Sequence, residues 1–184
     1  MNEEKRYYYG TLGSKFGEIV FVWRFADNKV VRIFLPMQRD LFRSSEYRSW
    51  GMSGINNRAA LELIRKMESL LNGNPVEVSL DIVDWTRTAA FQRLVLRTEG
   101  KIPRGMVSTY GRIALKVNRP HAARAVGRAL ATNPFPLIIP CHRAVRSDRS
   151  LAGYAGGVKM KKRLLELEGI EFDQKDRVVT TRFW

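Results

Sequence analysis

Thiol and imidazole are scarce in this chain. One cysteine, Cys141, and two histidines, His121 and His142, stand among 184 residues. A lone thiol excludes any disulfide within the chain. With two histidines, a zinc site would need carboxylates for most of its ligands, so no metal and no cofactor is expected. No run is long and apolar enough to span a bilayer. Met1-Asn-Glu-Glu-Lys-Arg6 lacks the apolar stretch of a secretory leader. Together these absences read as a soluble, cytoplasmic protein with no membrane partner.

What is abundant is positive charge. The formal net charge is +14. Residues 1–84 carry 12 Lys+Arg against 11 Asp+Glu, whereas residues 85–184 carry 20 against 7. A solubility device would not need that asymmetry. A basic field concentrated in one half implies a polyanionic partner bound in a salt-dependent way, and nucleic acid is the simplest one.

The pattern of residues divides at Asp84-Trp85-Thr86, giving an N-terminal α/β domain over 1–84 and a mainly helical domain over 85–184. In the first, Tyr7–Tyr9, Glu18–Phe25 and Lys29–Leu35 are rich in β-branched and aromatic residues and read as a meander. Residues 36–56 read as loop, and Val76–Ile82 as a further strand. Asn57–Asn72 places Ala60, Leu63, Ile64, Met67, Leu70 and Leu71 on one face of a helix. Beyond the boundary, Thr88–Glu99 reads as a helix burying Phe91, Leu94, Val95 and Thr98. Ser108 is placed to cap a helix reaching Val117, and Pro120 to open another ending near Ala131. Two short helices joined by a turn are the parts of a helix-turn-helix.

The second of these helices is nearly free of bulk, with Ala123 and Gly127 among its small residues and Arg124 and Arg128 one turn apart. Helix packing would explain the alanines but not the arginines. A DNA-facing helix accounts for both.

The stretch around the thiol is the most informative. Asn133-Pro-Phe-Pro-Leu-Ile-Ile-Pro-Cys141-His142-Arg143 brings an apolar, proline-stiffened segment directly into polar residues. Leu137–Ile139 reads as buried extended backbone ending at the thiol. A buried structural cysteine is the plain alternative. Neighbouring cations favour a thiolate nucleophile instead.

Asn133-Pro-x-Pro-x-x-x-Pro-Cys-His-Arg143 resembles the active-site signature of the O6-alkylguanine-DNA alkyltransferases (methylated-DNA–protein-cysteine methyltransferases). The resemblance runs in order from Thr88-Ala-Ala-Phe-Gln92 through Ile102-Pro-x-Gly-x-Val-Ser-Thr-Tyr-Gly111 and Ala122-Ala-Arg-Ala-Val-Gly127. It continues through Gly153-Tyr-x-Gly-Gly157 to Glu168-Gly169, covering about half the chain. It implies a ribonuclease H-like N-terminal domain and a winged-helix-like helix-turn-helix domain. The implied reaction is direct-reversal repair of double-stranded DNA, in which a monomer flips out O6-alkylguanine, or O4-alkylthymine, and takes the alkyl group irreversibly on its own cysteine.

By motif match, the resemblance makes Cys141 the nucleophile, His142 its base through a water, and Glu168 the carboxylate behind the histidine. Tyr110 becomes the proton donor and a DNA contact, and Asn133 the tie between helix and active-site segment. The Ala144 carbonyl, Tyr154 and the Ala155 amide read the base. Arg124 replaces it in the stack, with Ala123, Gly127, Arg128 and Arg143 also toward DNA. Many members carry serine where Ala155 stands, and some bind a structural zinc through N-terminal cysteines that this chain lacks. The implied alternative is a non-catalytic lesion binder or alkylation sensor.

Overall fold

A computed structural model describes residues 7–55 and 57–184; Met1–Arg6, read above as no secretory leader, lie outside them. Contacts group the chain into two compact units, Met1–Arg87 with Pro134–Pro136, and Thr88–Asn133 with Leu137–Trp184.

The first unit is a sheet of order β3-β2-β1-β4. Strands β1 (Tyr7–Ser14), β2 (Gly17–Arg24) and β3 (Val30–Phe34) form the antiparallel meander. Alternation along β2 gives it two buried faces. Val20 and Val22 join Tyr9, Val31, Phe34, Phe42 and Tyr47 in one cluster. Ile19, Phe21 and Trp23 occupy the other face, where Tyr8 stacks on Trp23 at 5.3 Å between centroids. Helix α3 (Arg58–Leu71) buries Ala60, Leu63, Met67 and Leu71, and Asn57 caps it by accepting from the Ala60 N–H at 2.8 Å. Full burial of each large aliphatic side chain contributes about 1.5–3 kcal/mol. Gly10 on β1 is required there, because a Cβ would overlap the Ile55 side chain.

Two expectations for this unit fail. Residues 36–56 are not loop: they hold a 3₁₀ turn at Pro36–Gln38, helices α1 (Arg39–Arg43) and α2 (Glu46–Trp50), and β4 (Gly51–Ser53), which pairs parallel to β1. Phe42 and Tyr47 anchor α1 and α2 on the sheet, but the helices are too short to show a period. Val76–Ile82 is no strand. Ser79 accepts from the Asp81 N–H and turns the chain into a 3₁₀ segment, Leu80–Ile82, leaving one parallel bridge between Val30 and Val83.

In the second unit, α4 (Ala90–Glu99), α5 (Tyr110–Lys116) and α6 (Ala123–Ala131) pack on one another. Thr109 caps α5, not Ser108, whose hydroxyl donates to the Trp184 carbonyl. Pro120 lies in the turn ahead of α6. Asn118, at φ 56°, reverses the chain, and the Arg119 and Ala122 N–H groups close the turn on the Ala114 and Arg119 carbonyls. Helix α4 buries Val95, Leu96 and Glu99, while Leu94 is exposed. A two-rung parallel ladder joins β5 (Ser108–Thr109) to β6 (Ala144–Val145). It rests on a core of Val107, Val145, Leu165, Ile170 and Val178. Helix α7 (Val158–Leu167) and the hairpin β7 (Glu171–Phe172) and β8 (Val178–Val179) follow. The C-terminal residues, for which the sequence offers no expectation, lie along Val107, with the Trp184 N–H donating to its carbonyl.

Candidate active site

Leu137–Ile139 is not extended. Prolines at 134, 136 and 140 remove the N–H groups a strand would need on both sides of it. The chain turns instead, with Leu137 at φ 74°, a left-handed conformation that costs an L-residue about 1–2 kcal/mol. Burial of the Leu137 side chain offsets that strain. The turn delivers Cys141–Arg143 as a single 3₁₀ turn running into β6. Cys141 and His142 are therefore not neighbours on an extended strand.

The thiol stands at a cavity of about 400 Å³ lined by Tyr110, Gly127, Leu130, Ala131, Ala152, Gly153, Tyr154 and Ala155. That volume lies within the range of about 300–1,000 Å³ usual for small-ligand sites. Asn133, at the end of α6, donates through Nδ2 to Sγ and to the Ile139 carbonyl, each at 3.2 Å. Burial pushes the thiol up to about 11, against the help of the Asn133 hydrogen bond. Burial thus outweighs the neighbouring cations expected to favour a thiolate. A buried anion is too costly there, and the sulfur needs a partner to take its proton.

That partner stands beside it in sequence. His142 is fully buried, and its Nε2 lies 2.9 Å from Glu168 Oε1. Burial pushes the imidazole down, so it is neutral, with Nε2–H donating to the carboxylate. Nδ1 is then a bare acceptor, buried and without a hydrogen-bond partner among the described residues. Glu168 caps the C-terminal end of α7 with its side chain 3% exposed. Burial would raise its carboxyl, but hydrogen bonds and charge from His142 and Arg143 hold it at about 2. The His142 N–H and the Arg143 guanidinium together keep the carboxylate ionised.

Arg143 corrects another expectation. Its Nε and Nη2 donate to Glu168 at 2.9 and 2.8 Å, and Nη1 donates to the Ile102 carbonyl at 2.6 Å. A guanidinium so engaged is not offered to DNA; it is the back wall of the histidine–carboxylate pair. Gly105, at φ 74°, leaves room for that wall, since a Cβ there would come within 3.2 Å of the Glu168 carbonyl oxygen.

Of the remaining expected residues, Tyr110, Gly127, Tyr154 and Ala155 line the cavity, whereas Ala144 is not among its walls. Burial first, then the charges of Glu99 and Cys141, push the Tyr110 phenol up to about 12, so it keeps its proton at neutral pH. The Tyr154 hydroxyl is buried with no hydrogen-bond partner among the described residues. Ala144 is buried, and its carbonyl accepts from Lys161 Nζ at 2.6 Å. Ala155 is half-buried at the cavity wall. On α6, Val126, Ala129 and Leu130 face the core, Ala123 and Gly127 are half-buried, and Arg124 and Arg128 are exposed.

Two buried ionisable groups near the thiol escaped the sequence reading, Glu99 and Lys161, each 0% exposed. A signal for them existed. Glu99 is four residues after Val95 and three after Leu96, on the apolar stripe of α4, and Lys161 is three and four residues before Leu164 and Leu165 on that of α7. Among the described residues, no group of three or more His, Cys, Asp or Glu is placed to hold a metal, and no helix is long and apolar enough to cross a membrane.

Residues 90–170 match the family model described as 6-O-methylguanine DNA methyltransferase, DNA binding domain. A methylated-DNA–protein-cysteine methyltransferase of Methanothermobacter thermautotrophicus is 42% identical over 115 residues, covering 62% of this chain and 64%, just under two thirds, of that protein. One from Metallosphaera sedula is 36% identical across 88% of this chain and 92% of its own. Among solved structures, the Mycobacterium tuberculosis OGT in complex with DNA superposes with a TM-score of 0.73 at 28% identity, covering 88% of this chain and 92% of that one. With the lone cysteine, its histidine and its carboxylate in the matched stretch, this chain belongs to the methylated-DNA–protein-cysteine methyltransferase family.

Proposed function

We propose that the protein repairs double-stranded DNA by direct reversal. It rotates O6-alkylguanine, and O4-alkylthymine where the pocket admits it, out of the helix and transfers the alkyl group to Cys141. The observation that carries this reading is the cavity-lining sulfur beside a neutral imidazole whose far nitrogen is fixed by a buried carboxylate. One bridging water relays the thiol proton to His142 Nδ1, and Glu168 with Arg143 stabilises the imidazolium. The thiolate attacks the alkyl carbon in line with the C–O bond. An S–C bond forms, the C–O bond breaks, and the electron pair leaves with the base. Tyr110 supplies the proton that neutralises the departing guanine. A thioether is not reversed by water, so each molecule acts once and needs no cofactor.

The base is read by the Ala144 carbonyl, the Tyr154 hydroxyl and the Ala155 amide. Exposed Arg124 fills the space it leaves, at the unstacking cost that base-displacing proteins meet. Arg128 and the close approach allowed by Ala123 and Gly127 hold the duplex. A ribonuclease H-like first unit, a winged-helix-like second unit, action as a monomer and a cytoplasmic location belong to the same proposal.

Duplex DNA carrying labelled O6-methylguanine tests it. One methyl per chain should appear on Cys141 by mass spectrometry, and none in Cys141→Ser. Label that stays on tightly bound DNA would identify a lesion binder instead, and multiple turnovers another enzyme. Arg124→Ala should slow repair of duplex by about 100-fold while changing reaction with free O6-benzylguanine less than about threefold, because only duplex requires unstacking, at a few kcal/mol. Equal losses on both substrates would remove Arg124 from that role.

A further inference from the structure

Near the thiol lie two buried ionisable groups that the mechanism above does not use. Glu99, at the end of α4, is fully buried, and both carboxylate oxygens lack a hydrogen-bond partner among the described residues. Lys161, on α7, is equally buried and spends one N–H on the Ala144 carbonyl, three residues beyond the thiol. The Ile102 carbonyl that receives Arg143 is on the residue whose N–H bonds the Glu99 carbonyl, so this end of α4 is joined to the Cys141–Arg143 turn.

We propose that the buried Glu99–Lys161 pair sets the ionisation of Cys141, the Lys161 ammonium supporting the thiolate and Glu99 preserving that support by keeping its own proton. Glu99 is a positioning residue in this scheme; it touches neither base nor sulfur. The proposal rests on Cys141 being the reactive thiol.

An unpartnered carboxylate in a core is far costlier than a carboxylic acid, and burial pushes Glu99 up to about 8 despite Lys161 and Arg143 nearby. Burial likewise brings Lys161 down to about 8, against the attraction of Cys141 and Glu99. At neutral pH the acid is therefore largely neutral and the amine largely charged, leaving a net positive charge beside the sulfur. Above pH 8 both groups lose a proton. Glu99 then repels the thiolate, and Lys161 no longer attracts it. The other groups acting on the pair are Arg143, Tyr110 and Arg146. Tyr110 ionises well above this range.

The rate of Cys141 alkylation by iodoacetamide, followed against pH, separates this role from mere packing. Glu99→Gln keeps the shape and removes the ionisation. Its profile should shift about one pH unit toward acid, making the thiol up to about tenfold faster at pH 8–9. Lys161→Met should shift the profile the other way. Benzyl transfer from O6-benzylguanine should follow both shifts. Profiles that overlay the wild type would overturn the proposal, as would shifts of like sign in the two variants. Glu99→Leu carries the same expectation should the glutamine variant fold poorly. A wild-type protein that accepts iodoacetamide but no benzyl group would overturn the repair reading while leaving the electrostatic result to stand by itself.

Discussion

Glu168→Gln should unfold at a markedly lower temperature and lose nearly all transfer activity. The carboxylate accepts three short hydrogen bonds, one from His142 and two from Arg143. A glutamine amide would turn one acceptor into a donor facing a guanidinium donor. Removing one partner of a buried ion pair costs about 3–5 kcal/mol, which for a chain of this size lowers Tm by about 6–20 °C. The pH dependence supplies a signature. The folded carboxyl sits at about 2, below its ordinary 4.5. Its contribution, about 3 kcal/mol, is therefore present above pH 4.5 and lost as pH falls through 2. The variant should lack this acid limb in pH-dependent thermal melts. Transfer, measured well below the new Tm, should fall by about 100-fold or more as the imidazole loses its fixed tautomer. An unchanged acid limb would show that Glu168 is not the anchor the geometry describes.

Glu99→Leu should do the opposite to stability. The folded acid titrates near 8, above its ordinary 4.5. A raised acid makes its full contribution below pH 4.5, and that contribution is lost as pH rises toward 8. By pH 7 the loss is on the order of 3 kcal/mol, and leucine, of similar volume, does not incur it. The variant's Tm should exceed the wild type's by about 5 °C or more at pH 7.5, with a much smaller difference at pH 5. Differential scanning calorimetry at the two pH values decides the matter. A gain independent of pH would trace to packing alone. Such a variant would also show that the wild-type chain keeps a destabilising acid beside its reactive thiol.

Both substitutions bear on how far the sequence discloses this protein. The meander, α3 and the order of helices around α5 and α6 were legible because their apolar residues repeat at a period long enough to see. Helices α1 and α2 were not, since five residues each display barely more than one turn. Val76–Ile82 has strand composition, but Ser79 diverts it locally, and composition does not register a single capping oxygen. At the site, the motif identified Cys141, His142 and Glu168, which the fold brings into one arrangement. It gave Arg143 to DNA because a cation after the thiol looks free in one dimension. Only the returning end of α7 shows what the guanidinium holds. Glu99 is hidden for a related reason: a charge on the apolar stripe of α4 carries no motif, and only the fold shows that it is buried.

The Asn133 amide clasps both the Ile139 carbonyl and the sulfur. Under the proposed chemistry, carbon on that sulfur both crowds the amide and weakens the acceptor, so half of the clasp opens. Spent copies thus carry a loosened joint at the end of α6 that fresh copies lack. Proteolysis or amide exchange at that joint would sort a mixed population by history, with no nucleic acid in the tube.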